Sequence, residues 1–319
     1  MLDARLLARQ PAYYALTISL TLLGWLAVLG VLGASPHAPA VVVFTAVGSG
    51  FLTMQLAFIA HDLAHNEVFR SAAANRRLGL LVANLFIGSS VRWWADSHNR
   101  HHAQPNLMDV DPETVTLLWA FSAGQAASRS PLVRKCLRWQ HLTIVGAMLF
   151  AGVGLVAAST HFIRAGGERA GGIALMVLHW LFVPALLVWL SGPLTGLIWL
   201  VIQQMVFGSY LTVASATNHM GMPEAGDVPD DFLRNQVLTA RNVAGGVLMD
   251  FLCGGLNHQI EHHLFPSMPR NRLRAAQRLV RPFCDARAIH YHEATFVGAL
   301  LEGYGDLVAV ARGVSLAGA

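Results

Sequence analysis

Histidine is the residue type whose number and spacing could carry chemistry in this chain. The sequence has 319 residues, of which 15 are histidines, 13% are charged and 54% are hydrophobic. Histidine is costly in an apolar setting unless it is paired or bound to a metal, so this excess needs a reason. Three clusters supply one, and their histidines are His61, His65, His98, His101, His102, His262 and His263.

The spacing inside each cluster suits metal binding. The first cluster has histidines at positions i and i+4, and the second has them at i, i+3 and i+4. The third repeats the second with Gln259 in the leading place. On a helix these positions share one face, so their imidazoles can converge on one pair of metal ions. His219, which follows the last long apolar stretch, could supply a further ligand.

Ligand number says more about the metal than ligand type does. Imidazole nitrogen suits iron, zinc or copper, so the ligand type leaves the metal open. A zinc site needs about four ligands, whereas the clustered histidines can fill two coordination spheres and leave positions for oxygen. Two redox-active metals imply activation of O2. An unactivated methylene group needs that chemistry because it offers no acid, leaving group or electrophile.

Other functional classes fit the pattern less well. An intramembrane zinc protease would need a glutamate base in a His-Glu-x-x-His motif, where this chain has Asp62. A metal transporter would place histidines within the membrane spans to line a path. Three cysteines are too few for a disulfide framework or a zinc site. Asp62 could orient a ligand imidazole through its second nitrogen, or be a solvated acid at a helix end. The same two interpretations apply to Asp96, Asp109, Asp111 and Glu261.

Apolar stretches of membrane-spanning length must position these clusters. They cover residues 13–32, 40–60, 142–163, 172–190 and 194–216, and each is close to the ~20 residues that a bilayer core requires. If the last three all crossed, His219 would lie on the opposite side from the other histidines. Arg164 and Arg169 favour the cytoplasmic side, while the uncharged turn 191–193 favours the outside. We therefore predict four spans, with 142–163 interfacial or re-entrant.

The predicted fold is all-α: an integral membrane four-span helical bundle with a cytoplasmic helical cap that holds the metal site. One domain covers residues 1–319, and segments 61–140 and 217–319 form the cap because they are polar and contain arginines. The basic residues in segments 134–138 and 270–278 could dock an acidic electron donor or the phosphates of an acyl carrier. Positive-inside bias alone would explain them equally well.

Three segments, taken in order, resemble the histidine boxes of membrane fatty acid desaturases. They are residues 61–65 (HDLAH), 98–102 (HNRHH) and 257–266 (NHQIEHHLFP). The third box, led by glutamine, is similar to that of the front-end and linoleoyl-CoA desaturase-like branch. Stretches such as 92–94 and 218–223 also resemble bacterial members. The resemblance runs from about residue 61 to residue 281, with order and spacing kept.

The resemblance implies a di-iron centre, with O2 as co-substrate. The ligands carried over by position are His61, His65, His98, His101, His102, His219, His262 and His263. Gln259 stands where stearoyl-CoA-type enzymes have a histidine ligand. His258 stands where this branch often has an aromatic residue. Both residues are therefore only possible ligands.

The function implied by the resemblance is desaturation of a fatty acyl chain carried by coenzyme A, a carrier protein or a lipid. The alternative is a hydroxylase, ketolase or acetylenase acting on a lipid or natural-product acyl chain, and no residue separates these outcomes. Many eukaryotic front-end enzymes carry a fused haem domain, but only 12 residues precede the first predicted span. We therefore expect a separate ferredoxin or small cytochrome, with its reductase, as electron donor. We also expect a bacterial cytoplasmic membrane, a site that faces the cytoplasm, and no nucleic acid partner.

Overall fold

The computed structural model describes residues 5–116, 118–229 and 231–317, with only the backbone of 315–317. The chain divides into two compact units. The span unit comprises Arg9–Ala95 and Met148–Thr212. The histidine unit comprises Met1–Ala8, Asp96–Ala147 and Val213–Ala319, as far as these are described.

The described residues are mostly helical, as predicted. The α-helices are Pro11–Ala34 (α1), Pro39–Ala64 (α2), Ala72–Gly79 (α3), Val91–Ala103 (α4), Ala123–Ser128 (α5), Pro131–Leu137 (α6), Gln140–Met148 (α7), Ala151–Arg164 (α8), Ala170–Ser191 (α9), Pro193–His219 (α10), Phe232–Leu238 (α11), Val247–Leu252 (α12), Gln259–Leu264 (α13), Leu273–Asp285 (α14) and Phe296–Ala317 (α15). A π-helical segment, Leu80–Ile87, continues α3, and short 3-10 turns cover Ala225–Asp227 and Arg270–Arg272.

Among the described residues, four helices are long and apolar enough to cross a membrane, judged by length and composition: α1, α2, α9 and α10. They lie on the four stretches predicted as spans. The number rises to as many as six if each of two bent helix pairs counts as one span. One of those pairs is α7 with α8, which covers the 142–163 stretch, so its interfacial or re-entrant placement stays a prediction.

Proline and glycine set the ends of these long helices. Pro11, Pro39 and Pro193 open α1, α2 and α10, where the missing N–H of proline removes a donor that would lack a helical partner anyway. Gly192 ends α9 with a φ of 80°, a left-handed value that favours glycine. The turn between α9 and α10 is therefore short and sharp.

The core of the span unit joins all four long helices. Its buried residues are Leu32, Val42, Ala46, Leu187 and Trp199. The Trp199 indole N–H donates to the Thr45 hydroxyl at 3.0 Å, which satisfies a polar group that would be costly in an apolar interior. The outward faces carry large apolar side chains such as Leu26 and Trp189, which are 65% and 78% exposed. Such faces suit a hydrocarbon environment.

The histidine unit has its own core, with one feature that the all-α prediction lacked. One of its hydrophobic clusters includes the buried residues Val237, Ile260, Val280 and Tyr291, which lie on α11, α13, α14 and the segment after α14. Two short strands, Asn242–Ala244 (β1) and Glu293–Thr295 (β2), pair in parallel. This ribbon is a small exception to the all-α prediction, since three-residue strands leave almost no periodic signal.

Candidate metal centre

Six of the predicted ligands lie in the histidine unit, on three helices. His98, His101 and His102 lie on α4, His219 is the last residue of α10, and His262 and His263 lie on α13. Neighbouring residues on an α-helix are about 100° apart around its axis. In each of the adjacent pairs His101–His102 and His262–His263, the two side chains therefore cannot aim at the same point. Each pair divides between two groups of imidazoles.

The first group contains His98, His102 and His262. The Nε2 atom of His102 lies 3.0 Å from Nε2 of His98 and 3.0 Å from Nε2 of His262. Each of these contacts joins two ring nitrogens, and no carboxylate or carbonyl oxygen is involved. These three residues are among those whose ligand atoms lie within 4.8 Å of one another.

The second group contains His101, His219 and His263, all buried, with ligand atoms within 4.8 Å of one another. The Nε2 atoms of His219 and His263 are 3.1 Å apart. The ring of His263 stacks on that of His102, with centroids separated by 4.3 Å. The two groups are therefore neighbours inside the same unit.

Hydrogen bonds at the outer nitrogens fix the orientation of the second group. His219 Nδ1 donates to the Thr239 carbonyl at 3.0 Å, and His263 Nδ1 donates to the Gln236 side-chain oxygen at 2.8 Å. The Gln236 amide nitrogen donates to the His102 carbonyl at 3.1 Å, which supports this orientation of the amide. A neutral imidazole with a proton on Nδ1 carries a lone pair on Nε2, so the Nε2 lone pairs of His219 and His263 face each other.

The third member of this group is oriented by a carboxylate. His101 Nδ1 lies 2.8 Å from Asp111 Oδ2, and both side chains are 1% exposed. Burial works against protonation of His101, but Glu113 and Asp111 outweigh it and raise the pKa of that imidazole. Burial lowers the pKa of His263 well below its ordinary value, and the neighbouring histidines add to this effect. The site therefore favours a neutral His263.

The donor set fits a metal ion better than it fits a network of hydrogen bonds. The His219 and His263 Nε2 atoms, neither of which carries a proton in this tautomer, lie 3.1 Å apart. The Gln259 amide can donate to His219 Nε2, whereas a cation between the two nitrogens would bind both. Two nitrogens, each about 2.1 Å from one ion and at right angles to each other, would be about 3.0 Å apart. Imidazole suits iron, zinc and copper alike, so the residues accommodate the predicted iron without selecting it.

The first histidine box lies in the span unit. His61 is in the last turn of α2 and His65 is its C-cap residue, with ring centroids 4.7 Å apart. His61 Nδ1 lies 3.2 Å from Asp62 Oδ1, the contact that an orienting acid would make. Glu67, which accepts a hydrogen bond from Tyr14 at 2.9 Å, joins His61 and Asp62 in a further buried group of potential ligands.

The two possible ligands of the third box are placed differently from its histidines. Gln259 Oε1 accepts from the Asn218 side chain at 3.1 Å, so its amide nitrogen faces His219 Nε2 at 3.0 Å. In this orientation Gln259 offers a donor to the site, not a ligand atom. His258 Nε2 pairs with Asp250 Oδ1 at 3.1 Å. Because Nε2 must carry a proton to donate to this carboxylate, it is unavailable to a metal.

Sequence reasoning missed several residues that hold the ligands in place. Asp111 was one of several acids with an open role, and nothing singled it out. Gln236 and Thr239 lie in the stretch 235–239, which also resembles bacterial members of the family. That resemblance assigns no role to either residue, and Thr239 acts through its backbone carbonyl. Glu67 and Glu113 are short distances along the chain from histidine boxes, which is the one signal that could have suggested them.

Comparison with known proteins agrees with this picture. A family model described as fatty acid desaturase matches residues 36–295, which is more than half of the chain. A Delta(8)-fatty-acid desaturase of Euglena gracilis is 30% identical, over 88% of this chain and 70% of the relative. An acyl-lipid (9-3)-desaturase of Physcomitrium patens is 28% identical, over 76% of this chain and 48% of the relative. For the Delta(6)-fatty-acid desaturase fat-3 of Caenorhabditis elegans, the values are 28%, 74% and 57%.

Apolar helices of membrane-spanning length and a histidine-rich candidate metal site define the class: a helical membrane protein with side chains that could hold metal ions. The chain belongs to the fatty acid desaturase family, which confirms the resemblance seen in its histidine boxes. The chain spans about half the length of the Physcomitrium patens relative. All three relatives come from eukaryotes, so the bacterial membrane stays a prediction.

Proposed function

We propose that this chain is an O2-dependent fatty acyl desaturase with two iron ions. The ions would be bound by His61, His65, His98, His101, His102, His219, His262 and His263. Family membership supports the reaction. The observation that carries the metal site is the 3.1 Å approach of the His219 and His263 Nε2 atoms, since both rings commit their Nδ1 atoms to oxygen acceptors elsewhere.

The chain's own residues would prepare this site before any metal arrives. Thr239, Gln236 and Asp111 each accept a hydrogen bond from the outer nitrogen of one imidazole. Each bond selects the tautomer whose inner nitrogen can bind a cation, and it makes that nitrogen more basic. When bound, the iron ions would supply activation of O2. Burial of these imidazoles would keep bulk water away from the reacting carbons.

The balance of the reaction requires a reductant. Desaturation removes two hydrogen atoms from neighbouring carbons of the acyl chain, and O2 accepts them. Two further electrons and two protons complete its reduction to two water molecules. We propose a separate ferredoxin or small cytochrome with its reductase as the electron source. Arg270, at 6% exposure, is too buried for the predicted docking surface, and Arg274 is engaged by Asp250. The other predicted basic residues remain candidates for it.

Four spans, an acyl substrate at the membrane and a site that faces the cytoplasm complete the proposal. The substrate would be linked to coenzyme A, a carrier protein or a lipid. Residues 61–140 and 217–319 would then form the cytoplasmic cap of a bacterial cytoplasmic membrane protein. The four long apolar helices support the membrane placement, and the order of the histidine boxes supports one site shared by segments far apart in the chain.

Lipid analysis in a host that also makes a reductase and ferredoxin tests the function. The wild-type chain should yield acyl products lighter by two hydrogen atoms, and mass spectrometry of derivatised products would locate the double bond. His101→Ala and His102→Ala should abolish these products, because each removes a ligand from a different group. His290→Ala is the matched control, since His290 is exposed and is not among the proposed ligands.

Each outcome bears on the proposal. Products heavier by one oxygen atom would show that the reaction is hydroxylation instead of desaturation, and products lighter by four hydrogen atoms would indicate an acetylenase. Alkenes that persist in His101→Ala and His102→Ala would show that the histidine groups are not the reacting centre. An equal loss of products in His290→Ala would point to a general effect on expression.

A further inference from the structure

The C-terminal turn of α10 carries His219 and ends in a buried place. The last four carbonyls of any helix lack helical partners, so a buried helix end needs other donors. One side chain supplies several of them. Arg241 Nε donates to the Thr217 carbonyl at 2.7 Å. Arg241 Nη2 donates to the carbonyls of Ala216, at 3.5 Å, and Met220.

Arg241 itself is held in place by an acid from the last helix. Its side chain is 0% exposed, and its Nη1 atom lies 2.7 Å from Glu302 Oε2 on α15. Glu302 is 41% exposed and also contacts His292 Nε2 at 2.8 Å. A buried guanidinium is costly unless it is paired and hydrogen-bonded. The negative end of the α10 dipole adds a further favourable contact for this cation.

The segment that contains Arg241 contacts His219 by a second route. The Arg241 backbone N–H donates to the Asn218 carbonyl at 2.9 Å. Two residues earlier, the Thr239 carbonyl accepts from His219 Nδ1. On the other side of the turn, Asn106 Nδ2 donates to the His219 carbonyl at 3.0 Å. The backbone and the ring of His219 are therefore both held, and Arg241 takes the largest share of the backbone carbonyls.

We propose that Arg241, seated on Glu302, is a positioning residue that sets the direction of His219 toward His101 and His263. The inference rests on the proposed metal site. Arg241 does not reach the imidazoles, and it acts through the carbonyls of the turn that ends α10. If it were removed, that turn could fray or rotate, and the Nε2 atom of His219 would leave the second group while the first group kept its geometry.

Titration of the purified, metal-stripped full chain with Co²⁺, followed by visible absorption, tests this. The wild type should show two classes of site. Arg241→Gln should weaken one class by roughly 10–100-fold, the usual cost of losing an outer support of a metal ligand, and leave the other unchanged. His219→Ala should weaken the same class. The double variant should bind Co²⁺ no more weakly than His219→Ala alone, because one support acts through one ligand.

Arg234→Gln is the matched control, since Arg234 forms an exposed pair with Asp231 in the same unit. It should titrate like the wild type. Wild-type Co²⁺ binding in Arg241→Gln would overturn the proposal. So would a loss that adds in full to that of His219→Ala, since that result means a general structural role.

A second variant covers the case in which Arg241→Gln does not fold. Glu302→Gln keeps an oxygen acceptor for Arg241 but removes its counter-charge at a half-exposed position. It should weaken the same Co²⁺ class by a smaller factor, and unchanged binding would count against the proposal. If the wild type shows two classes of Co²⁺ site but forms no acyl product, the desaturase proposal fails and the proposal for Arg241 stands. If the wild type forms the products and Arg241→Gln binds Co²⁺ as well as the wild type does, the proposal for Arg241 fails and the desaturase proposal stands.

Discussion

Replacing Asp111 by asparagine is the sharpest test of how the second imidazole group is built. Asp111 Oδ2 accepts from His101 Nδ1 at 2.8 Å and from the Asn106 backbone N–H at 2.9 Å. Its Oδ1 atom accepts from the Glu113 backbone N–H at 2.9 Å. Three donors thus meet two carboxylate oxygens. Asparagine keeps the shape, but it offers one oxygen and one NH2 group.

The magnitude follows from this geometry. Whichever way the new amide turns, at least one donor faces an NH2 group, and a buried unsatisfied donor costs about 1–3 kcal/mol. Burial alone would raise the pKa of Asp111, but its bond and attraction to His101 and two backbone N–H groups lower it overall. The wild type therefore holds a carboxylate beside His101 at neutral pH. Without that charge His101 is a less basic ligand, and metal affinity should fall about 10–100-fold, equivalent to about 1.4–2.7 kcal/mol.

Competition between the purified chain and a chelator of known affinity measures this change. Asp109→Asn is the control, because it makes the same substitution two residues away. The Asp109 side chain is 51% exposed and pairs with Arg129 instead of a histidine. Asp109 has a φ of 61°, which asparagine tolerates. Equal metal affinity in Asp111→Asn and Asp109→Asn would refute the claim that a buried carboxylate supports His101.

Three further predictions concern the rest of the fold. Burial would raise the pKa of Asp250, but hydrogen bonds from histidine, asparagine and arginine side chains lower it to about 2. The stability that the Asp250 carboxylate contributes is thus complete above about pH 4 and lost as the pH falls toward 2. In acid unfolding, Asp250→Asn should have a lower free energy of unfolding than the wild type at about pH 5, and the two free energies should converge near pH 2. Tyr291→Phe removes a 2.7 Å donor from buried Glu261 and should lower the free energy of unfolding by about 1–3 kcal/mol in denaturant titrations; an unchanged midpoint would contradict this. Gly50→Ala puts a carbon 2.7 Å from a side chain of α10 and 2.9 Å from a backbone carbonyl, at a cost of about 1–3 kcal/mol. Gly30→Ala, whose new carbon meets nothing within 4 Å, should be neutral or stabilising in the same assay.

The long helices could be predicted from the sequence because their signal is local. Stretches of about 20 apolar residues, bounded by proline or by a glycine turn, need no partner to be recognised. The bounds of the predicted span 40–60 stay a prediction, whereas α2, the helix that contains it, continues to Ala64 and carries the first histidine box on its last turn. A polarity boundary marks where the hydrocarbon face ends, and a helix can continue beyond that point. The three-residue β ribbon has no such local signal, because strand periodicity needs several residues to show.

Spacing predicted which histidines share a helical face, but not how they divide. His98, His101 and His102 all occupy one side of α4, yet His98 and His102 join one group and His101 the other. The division follows from the 100° step between adjacent residues. This division can be seen only in the structure, where His262 of α13 joins the group of His98 and His102 and His263 joins the group of His101. Sequence alone therefore supports a metal pair as an expectation, without assigning a ligand to either ion.

The supports of the ligands were the least predictable part, for two different physical reasons. Thr239 holds His219 through a backbone carbonyl, and every residue type has one, so no sequence pattern could mark it. Arg241 is different because its side chain does the work, and a guanidinium that is 0% exposed is rare enough to be a signal once burial is known. The acceptors of its Nη2 atom are backbone carbonyls at a helix end, 21 and 25 residues earlier in the chain. The sequence there shows no acidic partner that would point to Arg241. Arginine buried against a helix end that carries a ligand is thus a feature to seek in structures, because residue identity alone does not reveal it.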